Sequence, residues 1–156
     1  MRFRFYILVL MALPVLIPIV ILKSGAQDNA NERHVPRLAD IMSVTQLRHM
    51  KLWFAGQSSN WELAAYELRQ FRESLIEAAS LYPGIPVTNV TTMADPIQVV
   101  ADAIKAKDTR AFVSAFGSLT AGCNSCHQSM ERGYIVIRVP TASPFSDQVF
   151  PVQGKP

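Results

Sequence analysis

The sequence predicts an all-α fold: an antiparallel four-helix bundle with an irregular C-terminal tail. Three observations carry this. Beyond residue 26, apolar side chains recur every three to four residues in four stretches. Short segments marked by Gly, Pro, Asn or Asp separate these stretches. What remains is about 130 residues, enough for one small domain around a single core.

Residues 1–26 stand apart. A basic start, MRFRFY, leads into an unbroken apolar run from Ile7 to Leu22, and Ser24 and Ala26 offer small residues before a cleavage point. The run has 16 residues and contains Pro14 and Pro18, whereas a spanning helix needs about 20. An export signal is the expectation, with an uncleaved N-terminal membrane anchor as the alternative. The segment holds Arg2, Arg4 and Lys23 and no acid, so of the 15 basic and 12 acidic residues of the chain, 12 and 12 remain beyond it. That balance argues against a nucleic-acid partner, and against a membrane partner unless the leader is retained.

The expected four-helix-bundle domain, residues 27–132, is built as follows. The first helix, RLADIMSVTQLRHMKLWFAG, places Leu38, Ile41, Met42, Thr45, His49, Leu52 and Trp53 on one face, with Gly56 as its stop. A second opens with a capping box, Ser59-Asn-Trp-Glu62, buries Trp61, Ala64, Ala65, Leu68, Phe71, Leu75, Ile76 and Ala79, and ends at Pro83-Gly84. IPVTNVTTMA is a loop containing a formal glycosylation sequon, Asn89-Val-Thr91. Asp95-Pro96 caps a third helix reaching about Lys107. Asp108 caps a fourth, whose apolar face runs through Phe112, Ala115, Phe116 and Leu119 to Cys123 and Cys126. From residue 133 to 156 a proline-rich extended tail follows, too apolar for a free linker, with Tyr134, Ile135, Val136, Ile137, Phe145, Val149 and Phe150.

Both cysteines of the chain fall in Cys123-Asn-Ser-Cys126-His127. Two thiols this close cannot constrain an unfolded chain much as a disulfide. Cys-x-x-Cys-His is the attachment signature of c-type haem, in which each thiol adds across a vinyl group and the histidine binds iron. A structural zinc site needs four ligands, and only His34 and His49 remain to complete one. A thioredoxin-like pair follows a strand near the start of a βαβ unit, and here the pair lies late in a helical chain. One covalently bound haem c is therefore the expected cofactor, held by Cys123 and Cys126 with His127 as proximal iron ligand.

An exported four-helix bundle with this motif on its last helix resembles the class II cytochromes c, the cytochrome c′-like group, over roughly residues 35 to 130. The resemblance implies a haem packed between the first and last helices. It further implies a sixth iron position governed by the first helix, where either a methionine or an apolar residue that leaves iron open to small gases is found. The chain departs from the group in its short helices and loops and in the 29 residues after His127.

Met42 and His49 share the relevant face of the first helix, two turns apart. Cys123 lies 15 residues beyond Asp108, and Met42 lies 14 before Gly56, whereas His49 lies 7 before it; the difference is about 10 Å along the axis. The ruler favours Met42 as sixth ligand, with His49 the alternative. Arg37, Arg48 and Lys51 are candidate propionate partners, and Trp53, Phe54, Trp61 and Tyr66 read mainly as packing around the helix turn.

No acid–base pair or nucleophile constellation stands out, so the expected role is non-enzymatic: a periplasmic monohaem cytochrome carrying single electrons to a redox partner protein, docked through the tail. Alternatives are a gas-binding haem protein with an open sixth site, or the haem subunit of a larger exported oxidoreductase.

Overall fold

The computed structural model describes residues 35–85 and 92–152. The leader, His34, the sequon and the last four residues lie outside the described residues. Four helices make an all-α, antiparallel bundle: α1 (Leu38–Gln57), α2 (Trp61–Leu81), α3 (Ala94–Ala106) and α4 (Thr109–Ser129). Each packs on its neighbour in sequence, and α4 closes the ring against α1. Among the described residues no helix is long and apolar enough to cross a membrane.

The helix boundaries follow from local chemistry, with three departures from the pattern expected. α2 is capped by Asn60, whose Oδ1 accepts from Leu63 N–H at 3.2 Å, and not by Ser59. Ser59 sits in the left-handed region at φ 55°, where an N-cap residue does not belong, and its hydroxyl lies 3.4 Å from that of Thr109. α3 starts two residues early, with Met93 at the cap position; Pro96 is then the third helical residue, still in the turn whose N–H groups have no helical partner. α1 does not stop at Gly56 but runs one residue further, and Gly56 is buried inside its last turn. A Cβ there would run into the Phe112 ring. Glycine is needed for the approach of α1 to α4. Asp108 caps α4 as expected, accepting from the N–H groups of Arg110 and Ala111.

The core is aromatic at one end. Trp53 stacks on Phe112 and meets Phe116 at a tilt, and Trp61 meets Phe112 edge-on. The buried face of α2 is turned relative to the one expected: Glu67, Leu68, Phe71 and Ala78 are buried, while Ala65 and Ile76 are exposed. Arg48 of α1 reaches Glu67 at 3.1 Å, so the buried carboxylate keeps its charge partnered.

The tail returns along the bundle. After α4, Glu131 adopts φ 57°, and Arg132 N–H donates to the carbonyl of His127, a left-handed reversal of the kind that ends helices. The extended chain then passes α4, places Phe145 beneath Lys51 Nζ at 5.3 Å, and buries Phe150 against Phe54. Asn60 Nδ2 donates to the carbonyl of Phe150 at 3.0 Å.

Candidate functional site

The thiols and the imidazole occupy the last two turns of α4. At 3.6 residues per turn Cys126, Cys123 and His127 fall within an arc of about 100°. They stand side by side on a helix surface and do not converge on a point. Consistent with that, among the described residues no group of three or more His, Cys, Asp or Glu could hold a metal ion. Such a spread suits a flat ring met at its edge by sulfur and from one face by nitrogen.

Cys123 and Cys126 are unpaired and half-buried. Burial, then the proximity of Cys126, pushes the Cys123 thiol up to about 12, and burial also raises Cys126. Both stay protonated at neutral pH. A dithiol redox pair works through a depressed thiolate, and here burial outweighs the one backbone hydrogen bond that acts to lower the Cys123 pKa.

His127 carries the most specific geometry. Its Nδ1 lies 2.8 Å from the carbonyl oxygen of Ile135. A carbonyl can only accept, so Nδ1 bears the proton and, in the neutral ring, Nε2 presents its lone pair. Ligating histidines are oriented by this type of bond. The carbonyl comes from the tail, and sequence reasoning missed it: a backbone oxygen eight residues downstream leaves no trace in residue pattern.

Asn124, between the cysteines, was also not singled out by the sequence. Its Nδ2 donates to the carbonyl of Ile137 at 2.8 Å and its Oδ1 accepts from Ile137 N–H at 2.7 Å.

The register of α1 against α4 is fixed by three contacts: Gly56 with Phe112, Trp53 with Phe116, and His49 with Thr120. Met42 lies seven residues before His49, and His127 seven after Thr120. Extending the antiparallel register therefore brings Met42 level with His127. Cys123 comes level with Thr45 and Gln46, one turn from the position the ruler gave, because Phe112 and not Asp108 sits beside Gly56.

His49 is fully buried, between Phe116 at 4.5 Å and Phe71 at 6.5 Å. Its Nε2 lies 2.9 Å from Thr120 Oγ1, and Thr120 Oγ1 in turn donates to the carbonyl of Phe116 at 2.9 Å. A hydroxyl has one proton. With that proton on Phe116, His49 must donate from Nε2. Burial lowers the His49 pKa to about 4, so it is neutral near pH 7. Met42 is half-buried.

The three candidate propionate partners are engaged elsewhere: Arg37 with Asp40 at 2.9 Å, Arg48 with Glu67, and Lys51 over Phe145. Tyr66 faces outward between Arg48 and Arg69.

The residues present thus fit a covalently held haem at the C-terminal end of α4: two free thiols one turn apart and an imidazole whose Nε2 lone pair is fixed by Nδ1. No protein-family model, curated protein or solved structure matches the chain.

Proposed function

We propose that this chain is an exported monohaem c-type electron carrier. The observation that carries the reading is the bond from His127 Nδ1–H to the Ile135 carbonyl, which leaves Nε2 as a ligand beside two unpaired thiols. Cys123 and Cys126 would hold the haem, each thiol giving sulfur to one carbon of a vinyl group and hydrogen to the other with nothing to leave, and His127 Nε2 would supply the iron's protein ligand. When bound, haem supplies a one-electron couple.

The sixth position is assigned to Met42, level with His127 in the α1–α4 register. His49 is the less suited alternative, because its Nε2 proton is committed to Thr120. The likeness to cytochrome c′-type proteins enters only through the motif and the bundle. The export signal in residues 1–26 sets the compartment for this reading.

The test is covalent haem on the exported protein. A denaturing gel stained for haem peroxidase activity should show a band for the full chain and none for the Cys123→Ser, Cys126→Ser double variant. Visible spectra, oxidised and reduced, with and without carbon monoxide, then separate the roles. Rapid carbon monoxide binding to the reduced protein would favour the gas-binding reading, and a chain without covalent haem would end both.

A further inference from the structure

Asn124 has no assigned part in the haem motif, where the two residues between the cysteines act as spacers. Its side chain nevertheless grips one residue by both backbone groups. Nδ2 donates to the Ile137 carbonyl at 2.8 Å, and Oδ1 accepts from the Ile137 N–H at 2.7 Å. A carboxamide carries a donor and an acceptor side by side and reproduces one rung of a strand ladder. Aspartate lacks the donor, and serine cannot supply both groups at that reach.

Two residues before the gripped residue, the Ile135 carbonyl takes the Nδ1 proton of His127. Asn124 and His127 lie three residues apart on α4, about 4.5 Å along its axis. Ile135 and Ile137 lie two apart on extended chain, about 7 Å. The chain reverses at Glu131, and Ile135 N–H is held by the Arg132 carbonyl at 2.8 Å. The carbonyl that orients His127 is therefore pinned on one side by the turn and on the other by Asn124. Beyond the clamp Val139 packs against the core, and the tail touches the bundle again at Lys51, Phe54 and Asn60.

We infer that Asn124 is a positioning residue for His127: by clamping Ile137 it holds the Ile135 carbonyl where it keeps the proton on Nδ1 and aims Nε2 outward for a ligand. The inference rests on the reading of His127 as iron ligand and adds a residue to it. An imidazole whose Nδ1–H is firmly donated gives more electron density through Nε2, which favours the oxidised metal and lowers the reduction potential. Loosening the clamp raises it.

The experiment uses the full-length protein as isolated, with Asn124→Ala, Ile137→Pro and Phe150→Ala. Ile137→Pro removes the N–H that Asn124 accepts and leaves Asn124 intact. Phe150→Ala loosens the tail at its far anchor without touching the clamp. Three readouts are taken: solvent exchange of the Ile137 amide, solvent exchange of the His127 Nδ1–H by NMR in the reduced protein, and the reduction potential. Asn124→Ala should speed both exchanges at least tenfold and raise the potential. Ile137→Pro should reproduce the effects on the ring proton and the potential, and so decides the matter if Asn124→Ala does not fold. Phe150→Ala should leave the His127 proton and the potential at their wild-type values. If the His127 proton and the potential stay unchanged in Asn124→Ala or Ile137→Pro, or if Phe150→Ala shifts them as much, Asn124 merely fastens the tail and the inference is overturned. A chain that carries no haem on the gel overturns the ligand reading instead, and the ring-proton exchange, measured on the same protein, still decides whether Asn124 sets the proton of His127.

Discussion

His49 and Thr120 join α1 to α4 through a single buried hydrogen bond, 2.9 Å from Nε2 to Oγ1, in which the imidazole donates. His127 is protonated on the opposite nitrogen, donating from Nδ1 to Ile135. The two histidines of the described chain are thus fixed as complementary tautomers, one turned inward for packing and one with its Nε2 lone pair available. A pH dependence follows from the first. His49 has a folded pKa of about 4 against an ordinary 6.5. Above pH 6.5 neither state binds the proton and this group exacts nothing. As pH falls from 6.5 to 4 the unfolded chain takes up a proton that the folded one refuses, and stability drops by about 3 kcal/mol in all. Below pH 4 its contribution is flat. His49→Gln keeps a donor for Thr120 and cannot titrate. Denaturant midpoints at pH 7 and pH 4.5 should converge in this variant relative to wild type.

The sixth-ligand assignment has its own signature. A sulfur-to-iron charge-transfer band in the near infrared of the oxidised protein should be present in wild type and in His49→Ala, and lost in Met42→Ala. Loss in His49→Ala with retention in Met42→Ala would transfer the site to His49.

Gly56 sets how closely α1 meets α4. In Gly56→Ala the added Cβ meets the Phe112 ring, and both residues are fully buried. Overpacking of this kind costs about 1–3 kcal/mol. Chemical denaturation of the single variant should show that loss, and the double variant with Phe112→Leu should recover part of it.

The Arg48–Glu67 pair is asymmetric: the Glu67 side chain is 3 % exposed and that of Arg48 23 %. Arg48→Ala leaves a buried carboxylate without its cation, and a loss of about 3 kcal/mol is expected. Adding Glu67→Leu to that variant should restore much of it. A single Arg48→Ala variant as stable as wild type would show that the pair contributes nothing.

The tail contributes a buried aromatic to the core. Phe150→Ala removes a ring that packs on Phe54 and Phe145, for an expected loss of about 3 kcal/mol. Truncation after Gly133 should lower the thermal midpoint by more, since it also removes the Asn124–Ile137 and His127–Ile135 bonds. An unchanged midpoint after truncation would show that the tail is idle.

Helix existence and order were legible in residue pattern, because burying one stripe of a helix demands apolar residues at a fixed period. So were the cap at Asp108 and the grouping of Cys123, Cys126 and His127, since a local motif needs only neighbours in sequence. Residue pattern failed where the deciding partner was distant. Ser59 satisfied the capping-box pattern, yet a left-handed turn between α1 and α2 gave the cap to Asn60. Glu67 was no part of the apolar face expected for α2, yet it is buried against Arg48, 19 residues away. Gly56 read as a helix stop, while its use is to admit the ring of Phe112.

By itself, then, the sequence determined the all-α architecture, the place of the thiols on the last helix, and the histidine beside them, all consequences of local periodicity and spacing. Only the tertiary structure decided which nitrogen of each histidine carries its proton. It also set the α1–α4 register at His49 and Thr120, and placed the Asn124 side chain and the Ile135 carbonyl where they meet the tail and His127. A hydrogen bond needs its partners within about 3 Å, and it is the fold that brings Ile135 and Ile137 of the tail, and Thr120 of α4, within that reach.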